Sequence, residues 1–323
     1  MEQRRPTAEE IERLLAGVPA RYTRGEVSVR AGVSAELAER IWRALGFASP
    51  ADDAVAFSDA DVDALVRVRA MLDGALLDEE TVIRMTRALG QTTARLAQWQ
   101  AEIMVNRLLP QGGEPSAGDL ARVLETAQLL LPDFERLLIH VWRAQLAAAG
   151  TRLLAIADLN DERLPASVPL AVGFADLVSF TRRARELDER ELAALVEGFE
   201  ARAADVVAAH GARLVKTLGD EVLFTAPTPV QAAAIALDLV DAEELRIGMA
   251  YGPVLPVMGD VFGTTVNLAA RLTAVARPAT VVVDAGLAAG LTGDSRFTTP
   301  RLRRRSVSGL GVVQPHILRR STH

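Results

Sequence analysis

The chain has 323 residues, half of them apolar, enough for two domains that each bury a core. It contains no cysteine, which excludes disulfides and thiolate metal sites and fits a reducing compartment. The net charge of −6 argues against wholesale nucleic-acid binding, while a local basic patch stays compatible with it. The longest uncharged runs, such as residues 222–237 interrupted by Pro227 and Pro229, are too short to span a bilayer, and residues 1–6 lead into no signal-type apolar segment. These features predict a cytoplasmic protein with no transmembrane segment.

Residues 1–150 read as almost wholly helical. Thr7-Ala8-Glu9-Glu10 is a capping box that opens an apolar series of Ile11, Leu14 and Leu15. From Tyr22 to Phe47 the pattern is helix, Gly32-centred turn, helix, as in a helix-turn-helix, with Ser34 capping the second helix. That helix would be the DNA reader, yet it mixes Glu36 and Glu39 with Arg40 and Arg43, a poor phosphate clamp. Ser58 starts a further helix, with Leu65, Val68 and Leu72 at helical spacing. A long helix follows, carrying Val82, Ile83, Trp99 and Ile103, until Pro110-Gln111-Gly112-Gly113 breaks it. Residues 120–131 and 134–149 form a last helical pair around Pro132. The Trp and Met residues at these spacings read as core, with a lipid held in the bundle as the alternative. His140, on an apolar helix face, is a candidate proton sensor, with an ordinary packing or surface histidine as the alternative. Residues 151–166 form the connection between domains, helical in their first half, and residues 167–323 the second domain.

From Val168 the period changes. Residues 169–176 are a short apolar run ending in the carboxylate of Asp176, as a buried strand would. Residues 177–181 turn, and a long helix follows to His210. Residues 214–224 are two short strands joined by a Leu218-Gly219-Asp220 corner, where Gly219 tolerates a positive φ. A helix over about residues 228–240, a strand at 245–251, a loop entering a helix at 259–272, a strand at 280–283 and a terminal hairpin around Gly309-Leu310-Gly311 complete the series. Strands alternating with crossover helices, plus antiparallel hairpins, give an α+β class.

Asp176 closes one strand, and Asp220 sits in a turn beside it. Two carboxylates at adjacent strand ends with no Cys or His nearby suit hard Mg²⁺ or Mn²⁺ ions. The backbone N–H groups of residues 178–181 lie at a helix start, where they are suited to phosphate. Asn267 and Arg271, four apart, share one helix face and present an amide and a fixed cation to one point. Metals, an anion cradle and donors for developing charge are what a phosphoryl-transfer site needs.

Three blocks carry a family resemblance: Phe174-Ala175-Asp176-Leu177-Val178-Ser179-Phe180-Thr181, Lys216-Thr217-Leu218-Gly219-Asp220, and Asp260-Val261-Phe262-Gly263-Thr264-Thr265-Val266-Asn267-Leu268-Ala269-Ala270-Arg271. In this order and spacing, over residues 168–323, they resemble the signature blocks of class III adenylate cyclases. The N-terminal part is similar to the all-α regulatory domain of some actinobacterial members. The resemblance implies a ferredoxin-like catalytic core working as a head-to-tail homodimer that converts ATP to cyclic AMP and pyrophosphate. It implies that Asp176 and Asp220, with the Leu177 carbonyl as an additional ligand, hold two Mg²⁺ or Mn²⁺ ions per site. Phe180 and Thr181 fall in the phosphate-binding turn. Lys216 and Asp260 would read the base, Asn267 would orient the ribose, and Arg271 would stabilise the pentavalent α-phosphate. Lys donates to an adenine ring nitrogen and Asp accepts from its amino group; guanine reverses both polarities, which favours ATP over GTP. One departure stands out: no downstream lysine for the terminal phosphates is identifiable, and Arg277 or the cluster from Arg301 to Arg305 are the substitutes, the cluster reading equally as a solvated edge.

Lys216 and Asp220 share one hairpin, yet base and metals lie at opposite ends of a nucleotide. Two chains resolve this, each site taking Asp176 and Asp220 from one subunit and Lys216, Asp260, Asn267 and Arg271 from the other. The helical domain would then gate catalysis by moving the halves, with a proton, a lipid or a protein partner as the input. Competing readings are a DNA-binding regulator that senses a nucleotide without turnover, a guanylate cyclase, and a dimerisation module.

Overall fold

A computed structural model describes residues 7–48, 50–75, 77–109, 115–156, 167–242, 244–307, 309 and 311–321. The chain divides into two compact units, residues 1–150 and 151–323.

In the first unit α1 (Ala8–Ala16) opens on the Thr7/Glu10 capping box. Thr23 and Glu26 form a second such box at α2 (Arg24–Ala31), which ends on Gly32 in the left-handed region; Ser34 then caps α3 (Ala35–Leu45) through Leu37 N–H. Two helices follow, α4 (Asp59–Asp73) and α5 (Glu79–Leu108). Val27, Ala31, Ala38, Ile41, Trp42, Leu65 and Ile83 make one small core between α2, α3, α4 and the start of α5. The chain break expected at residues 110–113 lies outside the described residues.

Two expectations for this unit are corrected. The helical pair around Pro132 is one 40-residue helix, α6 (Ala117–Ile156), because strong helix formers on both sides carry the turn through the single hydrogen bond that proline removes. The Trp and Met stripes are not core: Met85, Trp99, Leu137, Ile139 and Trp142 on α5 and α6 are exposed, and so is His140. The far end of the expected connection, residues 157–166, lies outside the described residues.

The elements of the second unit are β1 (Val168–Leu177), α7 (Phe180–Glu186), α8 (Glu189–Ala209), β2 (Arg213–Thr217), β3 (Glu221–Ala226), α9 (Pro229–Ala242), β4 (Leu245–Val257), β5 (Asp260–Phe262), α10 (Thr264–Val275), β6 (Thr280–Val283), α11 (Ala285–Gly290), β7 (Phe297–Thr298), β8 (Arg305–Val307), β9 (Gly311–Val313) and β10 (His316–Arg320). Among the described residues this unit is a sheet with α8, α9 and α11 on one face and the 12-residue α10 on the other. The sheet order is β2-β3-β1-β4-β6-β10-β7, with β5 paired to β4 at the side, and β8 with β9 form a separate two-stranded hairpin. β4 and β6 run parallel; β1 pairs antiparallel with both β3 and β4.

The single helix expected up to His210 is two, since Asp188 and Glu191 form a capping box that starts α8 afresh. The C-terminal hairpin is likewise divided: its turn residue Leu310 lies outside the described residues, and β10 leaves the hairpin to join the main sheet.

Period-2 alternation sorts the sheet's side chains into two cores. Ala171, Ala175, Val222, Phe224, Ile247 and Met249 face α8, α9 and α11, while Val172, Phe174, Leu223, Ala250 and Val254 face α10. Burying helix and sheet on both sides of β1 and β4 fixes where those strands end. Among the described residues no helix is long and apolar enough to cross a membrane.

Candidate active site

Asp176 is the ninth residue of β1, on the α10 face. The Leu218-to-Glu221 turn brings Asp220 beside it: Leu218 N–H donates to the Glu221 carbonyl at 2.7 Å, Gly219 takes φ 73°, and Leu177 N–H donates to the Asp220 carbonyl at 2.9 Å. Leu177 itself is buried. Asp176 and Asp220 line a cavity of about 290 Å³ together with Leu218, Glu221, Arg246, Ala270, Thr273 and Ala274. All its acidic donors are carboxylate oxygens, with no His or Cys in the lining, a set that fits a hard divalent ion. A larger cavity, about 400 Å³ around His210, Asp238 and Arg320, contains none of the predicted site residues.

Arg246 and Glu221 were not anticipated. In the sequence Arg246 opens an apolar strand and Glu221 is an unremarked residue after Asp220; only strand register shows that they stand in one row with Asp176. Asp176 pairs with Glu221 across to β3 and with Arg246 across to β4. Directly opposite residues point to the same face, and Arg246 donates to Asp176 Oδ2. Burial raises the Asp176 carboxyl; the Arg246 hydrogen bond and charge oppose this, and the Asp220 charge adds to it. Glu221 is pushed up to about 6, first by burial and then by the charges of Asp176 and Asp220.

A second constellation stands on β2 and β5. Lys216 Nζ donates to Asp260 Oδ2, and Val261 N–H donates to Asp260 Oδ1 at 2.8 Å. Burial alone would raise the Asp260 carboxyl, but those two bonds and the charges of Lys216 and Arg213 outweigh it and hold it below the usual range. Lys216 reaches this face through a β-bulge. Leu214 pairs with Phe224 and Lys216 pairs with Leu223, so Val215 is an extra residue between them. In strict alternation Lys216 would share Leu214's face, under α8 and α9; the bulge turns it to the α10 face.

The third constellation is on α10. Its buried face is Thr265, Ala269, Leu272 and Thr273, which leaves Asn267 and Arg271 exposed on the opposite side. Two close approaches set that rotation. A Cβ on Gly248 would lie 2.0 Å from Thr273 N, and one on Gly252 would lie 2.9 Å from Thr265 Oγ1, so only glycines let α10 lie this close to β4. Thr265 Oγ1 donates to the Pro253 carbonyl at 2.8 Å, and Thr273 Oγ1 to the Ala269 carbonyl at 3.0 Å. Neither Asn267 nor Arg271 is among the residues lining the carboxylate cavity.

Ser179, in the left-handed region at φ 61°, starts α7. The Phe180 side chain packs against the core under α8 and α9, so only its backbone faces the turn, while Thr181 is exposed. Arg277 and the arginines at 301 and 303–305 are exposed; Leu302 packs against the cluster of Leu272, Ala276 and Val282, which brings that basic stretch to the end of α10. In the first unit Arg40 pairs with Glu79 and Arg43 with Glu39, so both cations of the helix-turn-helix face already have acidic partners.

Residues 6–147 match the family described as adenylate cyclase regulatory domain, and residues 165–320 match that described as adenylate and guanylate cyclase catalytic domain. Proteins named adenylate cyclase from Streptomyces coelicolor, Streptomyces griseus and Glutamicibacter nicotianae are 44%, 42% and 39% identical to this chain, over 98%, 98% and 97% of it and 90%, 89% and 82% of themselves. With both domain families matched in order and such identity across nearly its whole length, the chain belongs to the adenylate cyclase family, a class III cyclase catalytic domain preceded by a cyclase regulatory domain.

Proposed function

We propose that this protein converts ATP to 3′,5′-cyclic AMP and pyrophosphate in a site shared by two copies of the chain, under control of residues 1–150 acting through the connection at 151–166 on the catalytic domain at 167–323. The observation that carries the shared site is the exposure of Asn267 and Arg271 on the face of α10 opposite its buried side, outside the lining of the Asp176/Asp220 cavity. Exposed in this way, they are open to a nucleotide held by a second copy of the chain. Leu255, Val257, Met258 and Phe262, exposed around the β4–β5 hairpin beside Asp260, supply apolar area for such a contact.

Asp176 and Asp220 would hold two Mg²⁺ or Mn²⁺ ions, with the Leu177 carbonyl as a further ligand. The ions supply activation of the ribose 3′-hydroxyl and neutralise phosphate charge. The first backbone N–H groups of α7, those of Phe180 and Thr181, have no intrahelical acceptor and are free to bind phosphate oxygens. Lys216 and Asp260 would read the adenine edge, and their mutual ion pair holds the two heads at one place before a base arrives. Asn267 orients the ribose, and Arg271 offers fixed positive charge to the α-phosphate as it becomes pentavalent. A protonation or lipid signal to the helical unit, read by shifting the two copies, is the regulatory arm of the proposal. A cytoplasmic location fits a chain without cysteine.

DNA reading is the weaker alternative, because the α3 arginines are already engaged with Glu79 and Glu39. The test is cyclic-nucleotide production by the full chain with Mn²⁺ or Mg²⁺, using ATP and GTP in parallel, with Asp220→Ala as control. Cyclic AMP from ATP that vanishes in the variant is the expected result. An equimolar mixture of Asp220→Ala and Asn267→Ala chains should recover about a quarter of native activity, since half the dimers carry one intact site of two. No recovery would mean that the residues of a site come from one chain.

A further inference from the structure

The charge row Glu221–Asp176–Arg246 runs across three adjacent strands, β3, β1 and β4, and its members line one cavity with Asp220. That cavity holds three carboxylates and one cation. The cation is a guanidinium, which stays charged at every accessible pH. Its headgroup is not held by a two-pronged contact: Arg246 Nη2 donates to Asp176 Oδ2, while its buried Nε has no hydrogen-bond partner among the described residues. The Asp176 side chain is 14% exposed and that of Arg246 36%, so solvent screens the pair only in part. A positive charge fixed to the fold therefore sits on an oxygen of a carboxylate that, on the reading above, must also serve a divalent ion.

We propose that Arg246 is a positioning residue of the metal site: a tethered counter-cation that holds Asp176 and competes with the divalent ion for it, so that metal entry displaces the guanidinium. The inference rests on Asp176 and Asp220 being the metal carboxylates. Two consequences follow from one charge. Arg246 offsets part of the repulsion among the three carboxylates, and its hydrogen bond orients Asp176. It also lowers the affinity of the site for any cation that must take its place, so the site binds divalent ions weakly until another interaction favours the exchange. A neutral hydrogen-bond donor in its place would orient Asp176 and would not have the second effect.

The experiment is a titration of the full chain with Mn²⁺ in the absence of nucleotide, read by the electron paramagnetic resonance signal of the free ion. Arg246→Met should bind Mn²⁺ at least tenfold more tightly than the native chain, whereas Arg246→Lys, which keeps the charge, should stay within about threefold of it. Arg246→Gln, polar and uncharged, should follow Arg246→Met and serves if the methionine variant does not fold. The gain should disappear when Arg246→Met is combined with Asp176→Asn, because the competition is for that carboxylate. Equal or weaker Mn²⁺ binding in both uncharged variants overturns the proposal. Mn²⁺ binding unaffected by Asp176→Asn and Asp220→Asn in the native background instead overturns the assignment of the metal carboxylates.

Discussion

The catalytic domain contains two carboxylates that each hold a cation from another strand, and they shift in opposite directions. Asp176 has Arg246 yet is raised; Asp260 has Lys216 and is lowered. Burial opposes ionisation in both, and more strongly at Asp176, which lies deeper than Asp260. The company adds to that difference. Asp176 has the Asp220 charge beside it, whereas Asp260 has a second cation, Arg213, and a backbone N–H donor. An ion pair therefore does not by itself fix a carboxylate's proton affinity; depth of burial comes first and the surrounding charge and donors second. The cavity with surplus negative charge is suited to taking up external cations, and the balanced pair is suited to recognising a neutral base.

Substitutions at the two carboxylate regions should separate these roles. Asp176→Asn should lower turnover at least a thousandfold with any nucleotide, since loss of a metal ligand removes the chemistry itself. Lys216→Met should cost about ten- to a hundredfold in kcat/KM for ATP and much less for GTP, on the order of 1–3 kcal/mol for one mismatched polar contact. Equal losses with both nucleotides would move Lys216 out of base recognition. Steady-state kinetics with both substrates reads both effects.

Gly248→Ala tests the wall between the regions. Its Cβ would meet Thr273 N at 2.0 Å, so α10 must move off β4, at a cost of about 2–3 kcal/mol by analogy with overpacked cores. Thermal melting of the variant should show this, together with reduced turnover, because α10 carries Asn267 and Arg271. An unchanged melt would mean that α10 is free to shift.

Glu221→Gln gives the smallest effect and has a defined sign. The folded-state value of Glu221 is about 6, above its ordinary 4.5. The folded chain thus binds that proton more tightly than the unfolded chain, and ionised Glu221 disfavours folding above pH 6. Glu221→Gln should therefore raise the melting temperature at pH 7.5, and the gain should shrink toward zero as the pH falls from 6 to 4.5. A gain independent of pH would assign the effect to packing.

Much of this was legible in the sequence, for identifiable reasons. Asp176 and Asp220 could be placed because a strand end and a Gly-Asp turn are local features, and the four-residue spacing of Asn267 and Arg271 fixes a shared helix face wherever the helix sits. Arg246 and Glu221 were hidden because their membership of the cavity depends on pairing between strands far apart in the chain, β1 with β4 and β1 with β3. Pro132 misled in the other direction: a rule about one missing hydrogen bond was outweighed by helix formers over 40 residues. The break before α8 could have been found, since Asp188 and Glu191 spell a capping box inside what periodicity alone reads as one helix.

The bulge in β2 has a consequence for how this protein can change length. Pairing resumes at Lys216 from the turn side, where Leu218 N–H meets the Glu221 carbonyl, while Val215 is a spare residue upstream. Removing one residue between His210 and Val215 would use up that slack and leave Lys216 opposite Leu223. The same removal between Lys216 and Asp220 has no slack to draw on and would rotate the lysine under the helical layer. Deletions in this hairpin are therefore unequal on its two sides: tolerated before the lysine, destructive after it.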